Sequence, residues 1–335
     1  MSEADDLVLV AGAGGFIGGA LTAALLERGH RVRGVDSKPL DLWYQRPEGA
    51  ELIAADLRQR EACDHVMRDV GVVYDLAADM GGMGFIETHK AECMLSILIG
   101  THLLLAARDA GVHRFFFSSS ACVYNLEKQQ AAAVTPLREA DAYPAMPEDG
   151  YGWEKLFMER MCRHFSEDFG MTTRIARYHN VYGPSGTWDG GREKAPAAIC
   201  RKVAEAQLSG RHAIDIWGDG EQTRSFMYID DCVDGTHRIM ESDYAQPLNL
   251  GSSELVTINQ LVDIVERIAG SKKLERHYQL DAPKGVRGRN SDNTLINQVL
   301  GWEPSISLET GLERTYRWIH DQMVAGIKDP DRSAA

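Results

Sequence analysis

Gly12-Ala13-Gly14-Gly15-Phe16-Ile17-Gly18 decides the fold. It follows a short apolar run, Leu7-Val8-Leu9-Val10, and leads into a helical stretch, Ile17 to Glu27, so it reads as a turn from a buried strand into a helix. Glycines serve there because the backbone must turn tightly and approach a pyrophosphate with no Cβ in the way. The helix start then offers free N–H groups and a partial positive charge. Asp36 follows the next strand-like run, Arg31 to Val35, and lies 18 positions past Gly18. A carboxylate there can accept both ribose hydroxyls and repels a 2′-phosphate, which favours NAD over NADP. Gly12, Gly15, Phe16, Ile17, Gly18 and Asp36 are thus expected to hold NAD. Asp56 and Leu57, after the third run Glu51 to Ala55, stand where an adenine amino group could be held; a carboxylate in a surface turn reads the same way.

Outward from that turn the alternation continues. Val72 to Leu76 and Arg114 to Phe117 read as strands, separated by a helical stretch from about Ala91 to Ala110, and Thr173 to Ala176 and Pro247 to Leu250 as later strands. Strands recurring between helices of ten or more residues mean βαβ units and a parallel sheet. The expected class is α/β: a doubly wound parallel sheet with a smaller, discontinuous α/β substrate domain. The expected division is 1–177, with returning segments at about 225–252, for the NAD-binding domain. The substrate domain takes 178–224 and 253–328, and 329–335 is a frayed tail. In the second half, Ile258 to Ile268 and Leu312 to Met323 have helical apolar spacing.

The chain has 335 residues, 44% of them hydrophobic and 25% charged, and a formal charge of −13. So acidic a surface argues against nucleic-acid partners and against docking on an anionic membrane. No apolar run comes near the length of a bilayer span. The opening Met-Ser-Glu-Ala-Asp-Asp lacks the basic-then-apolar order of a signal peptide. Cys63, Cys93, Cys122, Cys162, Cys200 and Cys232 are widely spread, without a Cys-x-x-Cys pair. That spacing argues for a reducing compartment and against a disulfide framework or a metal site. A cytoplasmic location is expected.

Tyr151 and Lys155 stand at i and i+4 of a helical stretch, on one face. A phenol with a pKa near 10 is a poor base at neutral pH; a neighbouring ammonium favours its ionised form. With Ser118-Ser119-Ser120 at the end of a strand to anchor it, such a pair can take a proton from a substrate alcohol while a nicotinamide takes the hydride.

The glycine turn, these serines and Tyr151/Lys155 resemble the extended short-chain dehydrogenase/reductase family of nucleotide-sugar enzymes. Asn180-Val181-Tyr182-Gly183-Pro184 and Trp217-Gly218-Asp219-Gly220…Arg224-Ser225-Phe226 are similar to its substrate-domain motifs. The resemblance covers nearly the whole chain and implies a sugar nucleotide bound in the cleft between two domains, with tightly held NAD. In the family's 4,6-dehydratases an Asp-Glu pair fills the positions of Ala121 and Cys122. Here Ala121 cannot assist loss of water, whereas the Cys122 thiol can still move a proton.

Four stretches sharpen the resemblance to the GDP-mannose 3,5-epimerase branch: Ala77 to Phe85, Ser119 to Cys122, Gly190 to Ala198, and Gly285 to Asp292. It implies a C4 oxidation of GDP-mannose with Tyr151 taking the hydroxyl proton. Cys122 and Lys194 would be the acid–base pair that inverts C5 and C3 before the hydride returns. GDP-L-galactose would form, with GDP-L-gulose when only C5 inverts. By the same resemblance Ala77 contacts NAD, Ser120 orients the sugar, and Gly81, Asn180, Lys194, Lys202, Gln222, Arg224 and Arg289 bind sugar or GDP. The helices at Ala91–Ala110 and Gly152–Phe169 would pair two copies as a homodimer. Asn125, where relatives commonly carry Gly or Pro, departs from the pattern beside the active site. An epimerase of another nucleotide sugar, a 4,6-dehydratase and an NAD-binding regulator are the alternative readings.

Overall fold

The structure, a computed structural model, describes residues 6–283 and 285–329. Its first part runs β1 (Leu7–Ala11), α1 (Phe16–Glu27), β2 (Arg31–Asp36), β3 (Glu51–Ala54), α2 (Arg60–Val66), β4 (Val70–Asp75), α3 (Met83–Thr88), α4 (Lys90–Leu95), α5 (Ile97–Ala110), β5 (Arg114–Ser120), α6 (Tyr151–Phe169) and β6 (Thr172–Tyr178). The second part runs β7 (Asn180–Tyr182), α7 (Ala195–Ser209), β8 (Ala213–Trp217), β9 (Thr223–Tyr228), α8 (Ile229–Glu241), β10 (Leu248–Leu250), β11 (Leu255–Thr257), α9 (Ile258–Ala269), β12 (Glu275–Gln279), β13 (Gly288–Arg289), α10 (Thr294–Leu300) and α11 (Leu308–Val324).

Seven strands form one parallel sheet in the order β3-β2-β1-β4-β5-β6-β10. The chain winds outward from β1 in both directions, so the order reverses between β1 and β4, and the crevice above their C-terminal ends is where such sheets bind ligands. The strands are apolar at successive positions because both faces are covered. Leu7, Leu9 and Ala11 of β1 join the layer under α2, α5 and α6 with Leu103, Phe115, Phe117 and Met158. Val8 and Val10 point to the other face, with Tyr74 and Phe116. That second layer does not stop at the sheet: it continues through Tyr182, Ile199, Val203, Phe226 and Leu312 into the smaller lobe.

The smaller lobe contains a sheet of order β11-β9-β13, with β7 also pairing β9, and a separate β8–β12 pair. Three expectations need correction. First, Thr223–Tyr228 belongs to this smaller sheet and is buried along its whole length, so the return to the large sheet begins with α8 at Ile229 rather than at about 225. Second, Asp329 does not fray: it is buried, and its carboxylate accepts hydrogen bonds from the N–H groups of Trp188 (2.6 Å) and Asp189 (2.9 Å). Residues 330–335 of that expected tail lie outside the described residues. Third, Lys90–Ala110 is 21 residues long and holds an 18-residue window of mean hydropathy 1.4, long and apolar enough by length and composition to cross a bilayer. Its apolar character has a packing cause, since Leu103, Leu104, Ala106 and Ala107 sit in the core beneath α5.

Candidate active site

One cleft of about 1070 Å³ opens between the C-terminal edge of the large sheet and the smaller lobe. Gly12, Gly15, Phe16, Ile17, Gly18, Asp36, Asp56, Leu57 and Ala77 line one end, and Tyr151, Lys155, Ser120 and Cys122 stand in its middle. Gly81, Asn180, Lys194, Lys202, Gln222, Arg224 and Arg289 line it as well.

The glycine end is built for close approach. Gly12 has φ +84°, a left-handed conformation that favours glycine, and a Cβ on Gly18 would lie 2.0 Å from the Gly12 carbonyl oxygen. Among the described residues no side chain caps the start of α1, so its first-turn N–H groups are open to an anion in the cleft. Asp36 accepts a hydrogen bond from the Lys38 N–H at 3.0 Å; burial raises its pKa and these backbone donors oppose the rise. These residues fit a dinucleotide, with the diphosphate at α1 and a ribose at Asp36. Asp56 stands at the rim, its two oxygens taken up by Arg58 at 2.8–3.2 Å.

Tyr151 is the first residue of α6, and Lys155 lies one turn on, its Nζ 5.6 Å from the Tyr151 ring centroid and 4.7 Å from that of Phe117. The ammonium is buried and shares its surroundings with two acids. Glu154 Oε2 is 3.7 Å away, and Asp75, fully buried at the end of β4, feels its charge. Burial raises the pKa of both carboxyls, to about 7 for Asp75, with Lys155 opposing. The phenol departs from the sequence expectation. Burial, then Cys122 and Glu154, push its pKa well above 10, with a hydrogen bond to Ser120 the opposing influence. By the protein's own groups alone Tyr151 is therefore a protonated phenol. The neighbouring Ser119 is structural: its Oγ donates to Glu159 (2.5 Å), which Arg177 grips with Nε and Nη2.

Cys122 lies in a single 3₁₀ turn, Ala121–Val123, directly after β5, and Ser120 Oγ accepts a hydrogen bond from its N–H at 3.2 Å. Burial, then Glu148, push the thiol up to about 12. Lys194 is half-buried at the start of α7, and burial lowers its pKa while Cys122 opposes. The resting pair is thus a protonated thiol from the large sheet and an amine of reduced basicity from the smaller lobe.

The remaining polar wall is already bonded to backbone. Asn180 Nδ2 donates to Ser225 O (3.1 Å), Lys202 Nζ to Asp215 O (2.8 Å), and Gln222 Nε2 to Trp217 O (2.8 Å), leaving Gln222 Oε1 buried without a hydrogen-bond partner among the described residues. Arg224 donates to Thr223 O and Val286 O, and burial brings its pKa down to about 10. Gly81 leaves room for Phe85, onto whose ring Arg192 stacks at 3.8 Å while its Nη1 reaches Asp79 Oδ1 at 2.8 Å. Asn125 has a local cause: it accepts from the Glu127 N–H and donates to Pro144 O, pinning the loop. Sequence reasoning missed Gln129 and Glu148, which hold Arg289 at 2.7 and 2.6 Å.

Residues 8–251 match the NAD dependent epimerase/dehydratase family. The chain belongs to that family. It is 46% identical to GDP-mannose 3,5-epimerase 1 of Oryza sativa subsp. indica, over 94% of this chain and 82% of that protein. Its fold is similar to UDP-glucose 4-epimerase with UDP-glucose from Thermotoga maritima, at TM-score 0.84, 27% identity, and 95% and 99% coverage of the two chains. UDP-glucuronic acid 4-epimerase from Bacillus cereus, solved with UDP-glucuronic acid and NAD, is similar at TM-score 0.79 and 27% identity, with 94% and 99% coverage. NAD is the family's cofactor, and the glycine end of the cleft suits it.

Proposed function

We propose that the chain is a nucleotide-sugar 3,5-epimerase acting on GDP-mannose and releasing GDP-L-galactose, with GDP-L-gulose when C5 alone inverts, and no net redox change. The observation that carries this reading is the 46% identity to a GDP-mannose 3,5-epimerase over nearly the whole chain. The cleft supports it by setting Cys122 and Lys194 on different lobes around one space.

Bound NAD supplies a reversible acceptor for the hydride at C4. Tyr151 would take the C4 hydroxyl proton as its phenolate, its own proton having left to solvent under the added positive charge that bound NAD would bring beside Lys155, with Ser120 orienting the oxygen. A carbonyl at C4 acidifies the hydrogens at C3 and C5, because the carbanion is delocalised as an enolate. Inversion needs a proton removed on one face and supplied on the other, which one residue cannot do. Cys122 and Lys194, approaching from separate lobes, divide that task. Arg224 and Lys202 contribute the positive charge that two phosphates require, and Arg289 lines the sugar end beside Cys122.

The decisive experiment is NMR of the product from GDP-mannose in D₂O. Deuterium at C5 and C3 with inverted configuration is expected; unlabelled, unchanged GDP-mannose would sink the reading.

The homodimer belongs to the same proposal. Met94, Leu95 and Leu98, together with Trp153 and Phe157 of the adjoining α6, are exposed apolar side chains. Two copies pairing through these helices would cover them. Six free, buried thiols suit the reducing cytoplasm, where we place the protein.

A further inference from the structure

Behind the Cys122 thiol stands a buried carboxylate. The Glu148 N–H donates to the Cys122 carbonyl oxygen at 2.9 Å, so the two residues are tied through their backbones. The Arg289 guanidinium then spans both side chains: Nη2 donates to Glu148 Oε1 at 2.6 Å and Nη1 to Cys122 Sγ at 3.6 Å. Gln129 Oε1 accepts from Nε at 2.7 Å and fixes the plane of the guanidinium. All four side chains are buried.

Cys122 and Arg289 line the main cleft, whereas Glu148 lines a second, smaller cavity with Lys90, Gln222 and Arg287. Its Oε2 is buried with no hydrogen-bond partner among the described residues. Glu148 therefore stands behind the thiol, on the side of the second cavity, and acts on it directly by its charge as well as through Arg289.

We propose that Glu148 is a positioning residue for the proton-transfer pair: by its own charge beside the thiol and by holding one edge of Arg289 it offsets the cations around Cys122 and keeps Sγ protonated before the sugar binds. The charge logic is simple. Arg289 and Glu148 already cancel, so a thiolate at Cys122 would leave this buried trio with a net negative charge. With a neutral amide at position 148, Arg289 and a thiolate would cancel instead. The other groups facing the thiol are Lys194, Arg224, Tyr151 and Ser120; the two cations favour a thiolate, and Glu148 is what counters them. Burial works on the thiol in the same direction as Glu148, and Arg289 holds the Glu148 carboxyl below its usual range against that burial. The proposal rests on reading Cys122 as a proton-transfer group, and its test needs no turnover.

The test is alkylation of Cys122 by iodoacetamide in the NAD-loaded protein, followed by peptide mass, with Cys122→Ala as the blank for the other cysteines. In Glu148→Gln one pH unit of thiol acidification gives about tenfold more thiolate, and the accompanying loss of nucleophilicity leaves a net gain of about threefold. A rate at least that much higher is expected at pH 8, with Glu148→Asp restoring the wild-type rate. Arg289→Gln, which leaves Glu148 uncompensated, should slow the reaction by a similar factor. An unchanged rate in Glu148→Gln, or an equal acceleration in the Gln and Asp variants, would overturn the proposal. If Glu148→Gln does not fold, an unchanged rate in Arg289→Gln overturns it equally. Absence of GDP-mannose turnover would count against the proposed substrate and leave this chemistry standing.

Discussion

Glu159 on α6 and Arg177 on β6 form a two-pronged ion pair, with Nε and Nη2 of the arginine at 2.8 and 2.7 Å from the two carboxylate oxygens, both side chains nearly inaccessible to solvent. This pair bolts α6 to the sheet, and Ser119, the carbonyl of Glu139 and the Tyr124 hydroxyl bond to it as well. Breaking one side of a buried pair leaves a charge without compensation, at a cost of about 3–5 kcal/mol. Glu159→Ala should lose stability on that scale in a urea titration; a change below about 1 kcal/mol would mean the site is far wetter than its burial implies.

Asp75 gives stability a dependence on pH. Its folded-state pKa, about 7, lies above the ordinary 3.8, so the native state holds a proton that the unfolded chain has released between those values. Stability contributed by the neutral acid is therefore fully present below about pH 4 and is lost as pH rises through about 7. Asp75→Asn removes this dependence. Its melting temperature should rise relative to the wild type at pH 8 more than at pH 5. Equal differences at both pH values would place the Asp75 titration elsewhere.

Gly18→Ala puts a Cβ against the Gly12 carbonyl. Either the turn or the first turn of α1 must shift, and both carry the N–H groups offered to the diphosphate. Purified Gly18→Ala should contain at most a tenth of the NAD released by wild-type protein on denaturation. Full NAD content would mean the cradle yields without cost.

Cys122→Ser should bind NAD and GDP-mannose normally and Lys194→Ala should bind NAD normally, yet each should lose about 10²–10⁴-fold in kcat, the usual contribution of a positioned proton-transfer group. Isothermal titration separates binding from rate. Either variant inverting both centres at the wild-type rate would end the two-lobe assignment.

Leu98→Glu combined with Phe157→Glu places charges in the proposed dimer face. Light scattering should report a monomer for the double variant and a dimer for the parent chain. A monomeric parent would remove the face from consideration.

The parts of the site legible in the sequence are those whose chemistry is local. Gly12 to Gly18 are contiguous, and Tyr151 and Lys155 need only one helical turn to meet. Glu148 stands three residues before Tyr151 but carries no pattern, because what gives it meaning is Arg289, 141 positions away. Gln129 is hidden for the same reason, at 160 positions from its partner. The β8–β12 pair escaped notice because β12 is largely exposed and so shows no run of apolar residues. Ionisation was the least legible property: Lys155 predicts an acidic phenol at Tyr151, whereas burial outweighs it and two nearby acids, Glu154 and Asp75, divide the lysine's charge.

The apolar layer that passes from Val8, Val10, Tyr74 and Phe116 into Ile199, Phe226 and Leu312 makes the chain indivisible. A fragment ending at residue 177 would keep every glycine of the Gly12–Gly18 turn and still present that layer's bare underside to water. Such a piece would aggregate rather than bind. The enzyme cannot be dissected into a cofactor half and a sugar half, and a graft of its sugar-binding loops onto another sheet would have to carry this shared interior with it.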